Sequence, residues 1–224
     1  MTFFRNFFLY FVITCIVTFP AIFHISDKII GDGGDNYQFL GFQYVANHQV
    51  EQGQFPFGWT NYWRYPVGFD FSAAYDSTLI ILTGVALYSF ISDPVVVYNF
   101  STLLLLAVNG VLSFYLFREL TKNEWLGFLG GLLYGFSFYV IARAAGHTNL
   151  IVTGVFPFFV YGLMRLYKEN GSWKSFSILA LSIILTFLAS LQYFLILAGS
   201  ILLALPLFGL VKRKEFIELL KLLW

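Results

Sequence analysis

Ser175-Phe-Ser-Ile-Leu-Ala-Leu-Ser-Ile-Ile-Leu-Thr-Phe-Leu-Ala-Ser-Leu-Gln-Tyr-Phe-Leu-Ile-Leu-Ala-Gly-Ser-Ile-Leu-Leu-Ala-Leu-Pro-Leu-Phe-Gly-Leu-Val211 runs for 37 residues without a charged side chain. As one helix it would measure about 55 Å at 1.5 Å per residue. A bilayer's hydrocarbon core is roughly 30 Å thick. The stretch therefore predicts two apolar helices in a hairpin that turns near Ser190-Leu191-Gln192. Uncharged windows elsewhere predict further helices over residues 6–26, 94–117, 125–142 and 147–164. The result is six membrane spans, and the fold class is an all-α, polytopic transmembrane helical bundle.

Composition supports the bilayer as solvent. The chain is 58% hydrophobic and 11% charged, where soluble domains carry about 25% charged residues. So few charges cannot cover a water-exposed surface, and a bilayer-spanning chain must satisfy its backbone internally. A net charge of +1 leaves no electrostatic footprint for nucleic acid. The single Cys15, inside an apolar run, excludes a disulfide framework and a cysteine metal site. The 28 Phe and 14 Tyr fit lipid-facing rings and interfacial belts. The first apolar stretch follows Arg5, but Phe23-His24-Ile25-Ser26 lacks a small-x-small cleavage pattern, so it reads as an uncleaved helix bent by Pro20. The last residues, Leu222-Leu223-Trp224, follow a basic amphipathic stretch and read as a cut within a longer protein.

Residues 77–92 are uncharged but number only 16, about 24 Å if helical. They lie along the interface, dip in without crossing, or cross as a short seventh span, in which case the N-terminus is outside and the long loop inside; sidedness turns on them. Arg118, Lys122, Arg165, Lys168, Lys174, Lys212, Arg213 and Lys214 fall on one side by helix parity, which the positive-inside rule makes cytoplasmic. If 77–92 does not cross, Arg5 and the N-terminus are cytoplasmic as well, and the long loop after the first helix is extracytoplasmic. The flanking Arg5 and the acid-rich loop (Asp27, Asp32, Asp35, Glu51, Asp70, Asp76) favour that arrangement.

The loop opens Gly31-Asp-Gly-Gly-Asp-Asn-Tyr-Gln-Phe39. Glycines allow backbone conformations close to a ligand, and Asp32 and Asp35 suit either a cation or a general base. An ordinary Gly/Asp turn accounts for them equally well. Further on, residues 54–68 are dense in Trp and Tyr, which suits sugar rings and the membrane interface alike. Ala142-Arg-Ala-Ala-Gly-His-Thr-Asn149 joins the third and fourth spans. Arg143 there can hold a phosphate bidentately or reach up to lipid headgroups. His147 can pair with the same phosphate or with an acid, or serve a structural role. Gly127-Phe-Leu-Gly-Gly-Leu-Leu-Tyr-Gly135 sets small residues at helical spacing, a helix-packing face.

In that order, over nearly the full length, these features resemble the GT-C superfamily of membrane glycosyltransferases, which includes protein O-mannosyltransferases and bacterial aminoarabinose transferases. Gly31–Phe39 resembles the acidic start of that family's first external loop, residues 75–90 its interfacial segment, and Ala142-Arg143 its Ala/Ser-Arg pair. The chain departs from the family in carrying Asp35-Asn36 where many members have Asp-Glu.

The resemblance implies a domain over residues 1–224, with residues 27–93 as an external loop carrying interfacial helices and the catalytic acids. It implies inverting transfer of a sugar from a polyprenyl-phosphate donor to a glycan, lipid or protein acceptor on the outer face of the cell membrane. Asp35 or Asp32 would be the base, and Arg143, His147 and Arg64 would bind the donor phosphate. Tyr37, Gln38, Trp59, Trp63 and Asn149 would contact substrate. A divalent cation, Mg or Mn, is an option at Asp32 and Asp35.

Two other classes compete. A transporter or flippase usually carries ionisable residues or broken helices at the midplane, whereas the intramembrane polar residues here are neutral: Asn99, Asn109, Thr153 and Gln192. A non-catalytic scaffold would leave the loop acids dispensable.

Overall fold

The structure, a computed structural model, describes residues 2–211 and 217. Lys212, Arg213, Lys214 and the terminal Leu222-Leu223-Trp224 lie outside the described residues. Nine α-helices carry the described part: α1 (Thr2–Val17), α2 (Gly34–Glu51), α3 (Thr78–Tyr88), α4 (Pro94–Thr121), α5 (Glu124–Gly135), α6 (Phe138–Gly146), α7 (Val155–Lys168), α8 (Trp173–Ala189) and α9 (Leu191–Val211). A two-residue antiparallel ribbon, β1 (Trp59–Thr60) and β2 (Phe69–Asp70), is the sheet among the described residues, with Trp59 opposite Asp70. The all-α class holds.

Three helical stretches are long and apolar enough to cross a membrane: Pro94–Thr121, Thr148–Lys168 and Leu191–Val211. The bent pair α5 and α6 makes a fourth if counted as one span. The remaining apolar helices, α1, α3 and α8, are shorter. The six expected windows therefore do not all become full-length helices. The first ends at Val17, and Ala21–His24 continues as a 3-10 turn, because the Pro20 ring offers no N–H to an α-helical ladder. The fourth begins as a 3-10 turn at Thr148–Leu150 and becomes α-helical only at Val155.

The 37-residue uncharged stretch does divide, at Ser190, whose extended backbone separates α8 from α9. Leu179 and Ile183 of α8 join Leu197 and Ile201 of α9 in one apolar cluster, so the second helix folds back on the first.

The window 125–142 breaks instead of forming one rod. Between α5 and α6 the chain bends by 44°. The Gly135 carbonyl, which a continuous helix would offer to the N–H four residues on, accepts from Asn109 Nδ2 at 2.7 Å. The Gly127–Gly135 small-residue face does pack as its spacing predicts: a Cβ on Gly135 would lie 2.7 Å from Gly110 Cα, and one on Gly131 2.7 Å from the Gly110 carbonyl.

The 27–93 segment is largely helical. Asp35 stands in the first turn of α2, 18 residues long. The doubtful 77–92 window forms α3, only 11 residues, about 17 Å and too short for one crossing. Phe39 and Phe42 of α2, Ile80 and Ile81 of α3, and Leu105 and Leu106 of α4 share one core, which ties the loop helices to the apolar bundle.

α4 is the axis of the molecule. Asp93 caps it by accepting the Val95 and Val96 N–H groups, and Pro94 fits its first turn. Near its start, Asn99 holds the chain that enters the loop. Near its end, a collar of ion pairs gathers the basic residues: Glu124 meets Arg5 at 2.7 Å and Arg118 at 3.3 Å, and Glu119 meets Lys168 at 2.7 Å and Lys122 at 2.5 Å. Asn99 and Arg118 are nineteen residues apart on one helix, about 28 Å. The loop end and the charged end thus stand apart by about the thickness of a hydrocarbon core.

Candidate functional site

The site is built on the contact between the Gly31–Asn36 turn and the end of α6. Gly31 has φ +118°, and a Cβ there would sit 1.6 Å from Asn36 Nδ2 and 2.6 Å from the Ala145 carbonyl, so only glycine fits. Asn36, fully buried, donates Nδ2 to the Ile30 carbonyl at 3.0 Å and to Ala145 O at 2.7 Å. The Asp32 N–H donates to the same Ala145 carbonyl at 2.7 Å. These bonds fix the two aspartates against the α6–α7 connection.

Asp35 then faces His147, with Oδ2 3.5 Å from Nε2. Both are about half exposed and line a cavity of about 250 Å³ together with Gln38, Asp76, Asn149 and Gln192. Phe39, Phe42 and Phe69 form its apolar wall. The Asp32 carboxylate lies elsewhere, beside Gly146, where a Cβ would be 3.6 Å from its Oδ1. Asp32 is not among the cavity's lining residues.

Asp76 organises the far wall. Its Oδ1 accepts from the Ser190 hydroxyl at 2.8 Å and the Leu191 N–H at 2.9 Å, and its Oδ2 accepts Asn149 Nδ2 at 2.9 Å. The carboxylate sits at the N-terminus of α9, where the helix dipole favours negative charge. Asn149, buried, keeps its Oδ1 unpaired among the described residues.

The sequence-derived residues therefore divide. Asp35, Gln38, His147 and Asn149 come together in one cavity. Arg64 has φ 58° and stacks its guanidinium 5.2 Å from the ring of Phe69, a cavity-wall residue. Arg143 lies within α6, not in the loop, and its guanidinium rests 5.0 Å from the Tyr139 ring. It does not line the cavity. Its neighbour Tyr139 meets Tyr193 hydroxyl to hydroxyl at 3.3 Å, and Tyr193 donates to the Leu150 carbonyl. Tyr37 turns away, its ring against Gly33. Trp63 is packed on Phe42, ring centres 5.1 Å apart, and lies partly buried against the core. Trp59 lies at the other end of α2, in a separate groove.

Asp76, Ser190 and Gln192 were not predicted as site residues. Asp76 was visible as one acid among six in the loop, and 190–192 as a turn. What joins them is the fold-back of α9, a tertiary event. Among the described residues no group of three His, Cys, Asp or Glu side chains is arranged to hold a metal ion. Asp32 and Asp35 address different neighbours, so a cation here would need ligands from a substrate or water.

A second cavity, of about 350 Å³, adjoins the same turn from the side of α1. It is lined by apolar atoms of Val17, Pro20, Ile29, Ile141 and Ala144, with His24 and Lys28 at its polar edge. Gly31 and Ala145 also line it, four and two residues before Asp35 and His147 of the polar cavity, and no residue lines both.

No curated protein and no solved structure matches the chain. One family model does, over residues 7–223, and its description is a domain of unknown function, DUF6311. That match spans almost the whole chain, and the protein belongs to the DUF6311 family.

Proposed function

We propose that this protein is a multi-pass membrane glycosyltransferase that moves a sugar from a polyprenyl-phosphate donor to an acceptor hydroxyl on the extracytoplasmic face of the cell membrane. The observation that carries the reading is the Asp35–His147 pair, 3.5 Å apart in a cavity that opens beside an apolar one. A lipid-linked sugar needs that combination: an apolar trough for the chain and a polar chamber for the sugar.

Asp35 is the base. Its carboxylate takes the proton of the acceptor hydroxyl as that oxygen forms a bond to the anomeric carbon. The bond from the anomeric carbon to the phosphate oxygen breaks, its electron pair leaves with the polyprenyl phosphate, and the configuration inverts. A positioned base contributes about 10²–10⁴-fold. The departing phosphate is already a stable anion and is helped by positive charge. Arg143, one helical turn before His147, Arg64, stacked on the cavity-wall Phe69, and Lys28 at the edge of the apolar cavity are the candidate cations. His147 can relay the proton that Asp35 has taken. Gln38, exposed on the cavity wall beside Asn149, is suited to sugar hydroxyls. A Mg or Mn ion would be held by one of these aspartates together with phosphate oxygens, and no step above depends on it.

The sidedness rests on the charge collar. With Arg5 and the α4–α5 turn cytoplasmic, the Asp35 end of α4 lies outside. The test uses proteoliposomes supplied with polyprenyl-phosphate mannose, glucose, galactose and arabinose, and with neutral oligosaccharides as acceptor hydroxyls. Release of polyprenyl phosphate is read for the wild type and for Asp35→Asn. The reading expects release from at least one donor, reduced by about 10² or more in the variant. Equal rates for the two proteins would overturn it.

One observation favours a second reading, a transporter or flippase. The α5–α6 break is of the kind that lines substrate paths in transporters. Movement of a lipid-linked sugar across vesicles, without loss of polyprenyl phosphate, would select that reading.

A further inference from the structure

At the opposite end of α2 from Asp35, the loop folds into a groove of about 450 Å³ that the chemistry above does not use. Gln49, Gln52 and Gln54 give it one wall, and Trp59, Tyr62 and Tyr65 give it another. No Asp, Glu, Lys or Arg lines it. Its volume falls within the range of about 300–1,000 Å³ usual for ligand sites.

The parts are set in place in advance. The Tyr62 hydroxyl lies 2.6 Å from His48 Nε2, and Gln52 Nε2 lies 2.9 Å from the same nitrogen. Trp59 lies flat against Gly68, where a Cβ would come within 2.7 Å of the indole. Gln49 is 2% exposed, and its Nε2 donates to the Trp59 carbonyl at 3.2 Å. Its Oε1 has no hydrogen-bond partner among the described residues. A buried amide oxygen left without a donor costs free energy unless something supplies one.

We infer that this groove is a binding site for a neutral saccharide. Gln52 and Gln54 are exposed, and their side-chain amides can meet neighbouring hydroxyls, while the unpaired Gln49 Oε1 lies at the base of the same wall. Exposed Trp59, Tyr62 and Tyr65 offer aromatic faces to the C–H faces of sugar rings. The lack of charge in the lining argues against phosphates and uronic acids, which would leave an anion desolvated and unpaired. An aromatic belt at a membrane interface explains exposed rings. It does not explain a concave wall of amides with a buried unpaired acceptor.

Gln49 is fourteen residues from Asp35 along one straight helix, about 21 Å. The groove is thus separate from the Asp35 cavity, and saccharide binding does not depend on the transferase assignment. If that assignment also holds, the groove engages the remote end of a glycan acceptor.

The test uses the full chain in detergent micelles, with saturation-transfer NMR against mannotetraose, maltotetraose, cellotetraose and tetragalacturonate. At least one neutral tetrasaccharide binds, and tetragalacturonate binds about tenfold or more weakly than it does. Trp59→Ala and Gln52→Ala each weaken the neutral ligand by about tenfold, and Asp35→Asn leaves it unchanged. Both groove variants alter exposed side chains, and circular dichroism checks that they fold. Absence of binding by all three neutral sugars overturns the inference. So does binding that survives both groove variants. A third measurement compares wild type with Trp59→Phe in vesicles carrying nitroxide headgroups. Quenching of Trp59 that tetrasaccharide does not relieve would mark it as a lipid anchor and also overturn the inference.

Discussion

Ile30 gives its backbone N–H to Asn99 Oδ1 at 2.8 Å, linking the chain entering the loop to the first turns of α4. The Asn99 Nδ2 group donates to the Ile25 carbonyl at 2.8 Å and the Lys28 carbonyl at 2.7 Å. One buried amide thus satisfies three backbone groups just before Asp32 and Asp35. Asn99→Leu keeps the branched side-chain shape, though with bulkier methyl groups, and removes all three bonds. Each stranded buried group costs about 1–3 kcal/mol, so the variant is expected to lose on the order of 3 kcal/mol. Faster amide exchange should appear at residues 25–36 first, and thermal unfolding with segment-resolved exchange measures both. Exchange unchanged in that segment would remove Asn99 from the site's support.

The α4–α5 contact is tight enough to make a single methyl group count. In Gly135→Ala the added Cβ meets Gly110 Cα at 2.7 Å and Gly110 N at 2.9 Å. Both are backbone atoms that cannot rotate away. Overpacking of this kind costs about 1–3 kcal/mol, and here it also pushes on the carbonyl held by Asn109. Gly199→Ala, where a Cβ meets nothing within 4 Å, is the matched control and should be neutral. Thermal unfolding in one detergent compares the two.

How much of this could be read from the sequence follows from the range of the forces involved. Helices over 94–121 and 191–211 were legible because apolar run length is a local property. The break at Ser190 was legible because 37 residues exceed a bilayer. The bend at Gly135 was not, since its cause is Asn109, an asparagine 26 residues away that also accepts the Gly154 N–H. Asp35 stood out beside its glycines. The partner of His147 could not be chosen between a phosphate and an acid until α6 was seen to end against the Gly31 turn. Trp59 and Trp63 look alike in sequence, yet one is exposed in a groove and the other packs on Phe42. Trp59 sits in β1, whereas Trp63 lies in the connection between β1 and β2 that folds back over Gly41 and Phe42 of α2, and no composition rule encodes that path.

Asp76 offers a separation of support from chemistry. Its carboxylate accepts from Ser190, Leu191 and Asn149, so Asp76→Asn trades a charged acceptor at a helix N-terminus for a neutral amide. A loss of about 1–2 kcal/mol follows from the weaker hydrogen bonds and lost dipole interaction. Asp76→Leu should cost more, because the Ser190, Leu191 and Asn149 donors all lose their acceptor. If Asp76 positions Asn149 for substrate, Asp76→Asn raises the KM for donor and leaves kcat within a few-fold. A fall in kcat comparable to that of Asp35→Asn would instead give Asp76 a direct role.

The ion-pair collar makes sidedness measurable. Arg5, Arg118, Lys122 and Lys168 converge on Glu119 and Glu124 at one end of α4, while Asn99 and the loop occupy the other. The Arg5–Glu124 pair is exposed on both sides and contributes only about 0–1 kcal/mol, while Glu119, 12% exposed, is shared by Lys122 and Lys168; the value of the collar here is geometric. They put the N-terminus on the same side as the α4–α5 and α7–α8 turns. The proposal assigns that side to the cytoplasm. On a Cys15→Ser background, Val67→Cys marks the loop and Asn170→Cys marks the α7–α8 turn. Both positions are exposed, whereas Asn36, nearer the acids, is buried and holds the Gly31 turn. In intact cells a membrane-impermeant thiol reagent is expected to label Val67→Cys alone, with Asn170→Cys labelling only after the membrane is opened. The reverse pattern would put Asp35 and His147 in the cytoplasm. A donor whose sugar faces outward could not then reach them, and the extracytoplasmic transfer would have to be given up even though the Asp35 cavity stood unchanged.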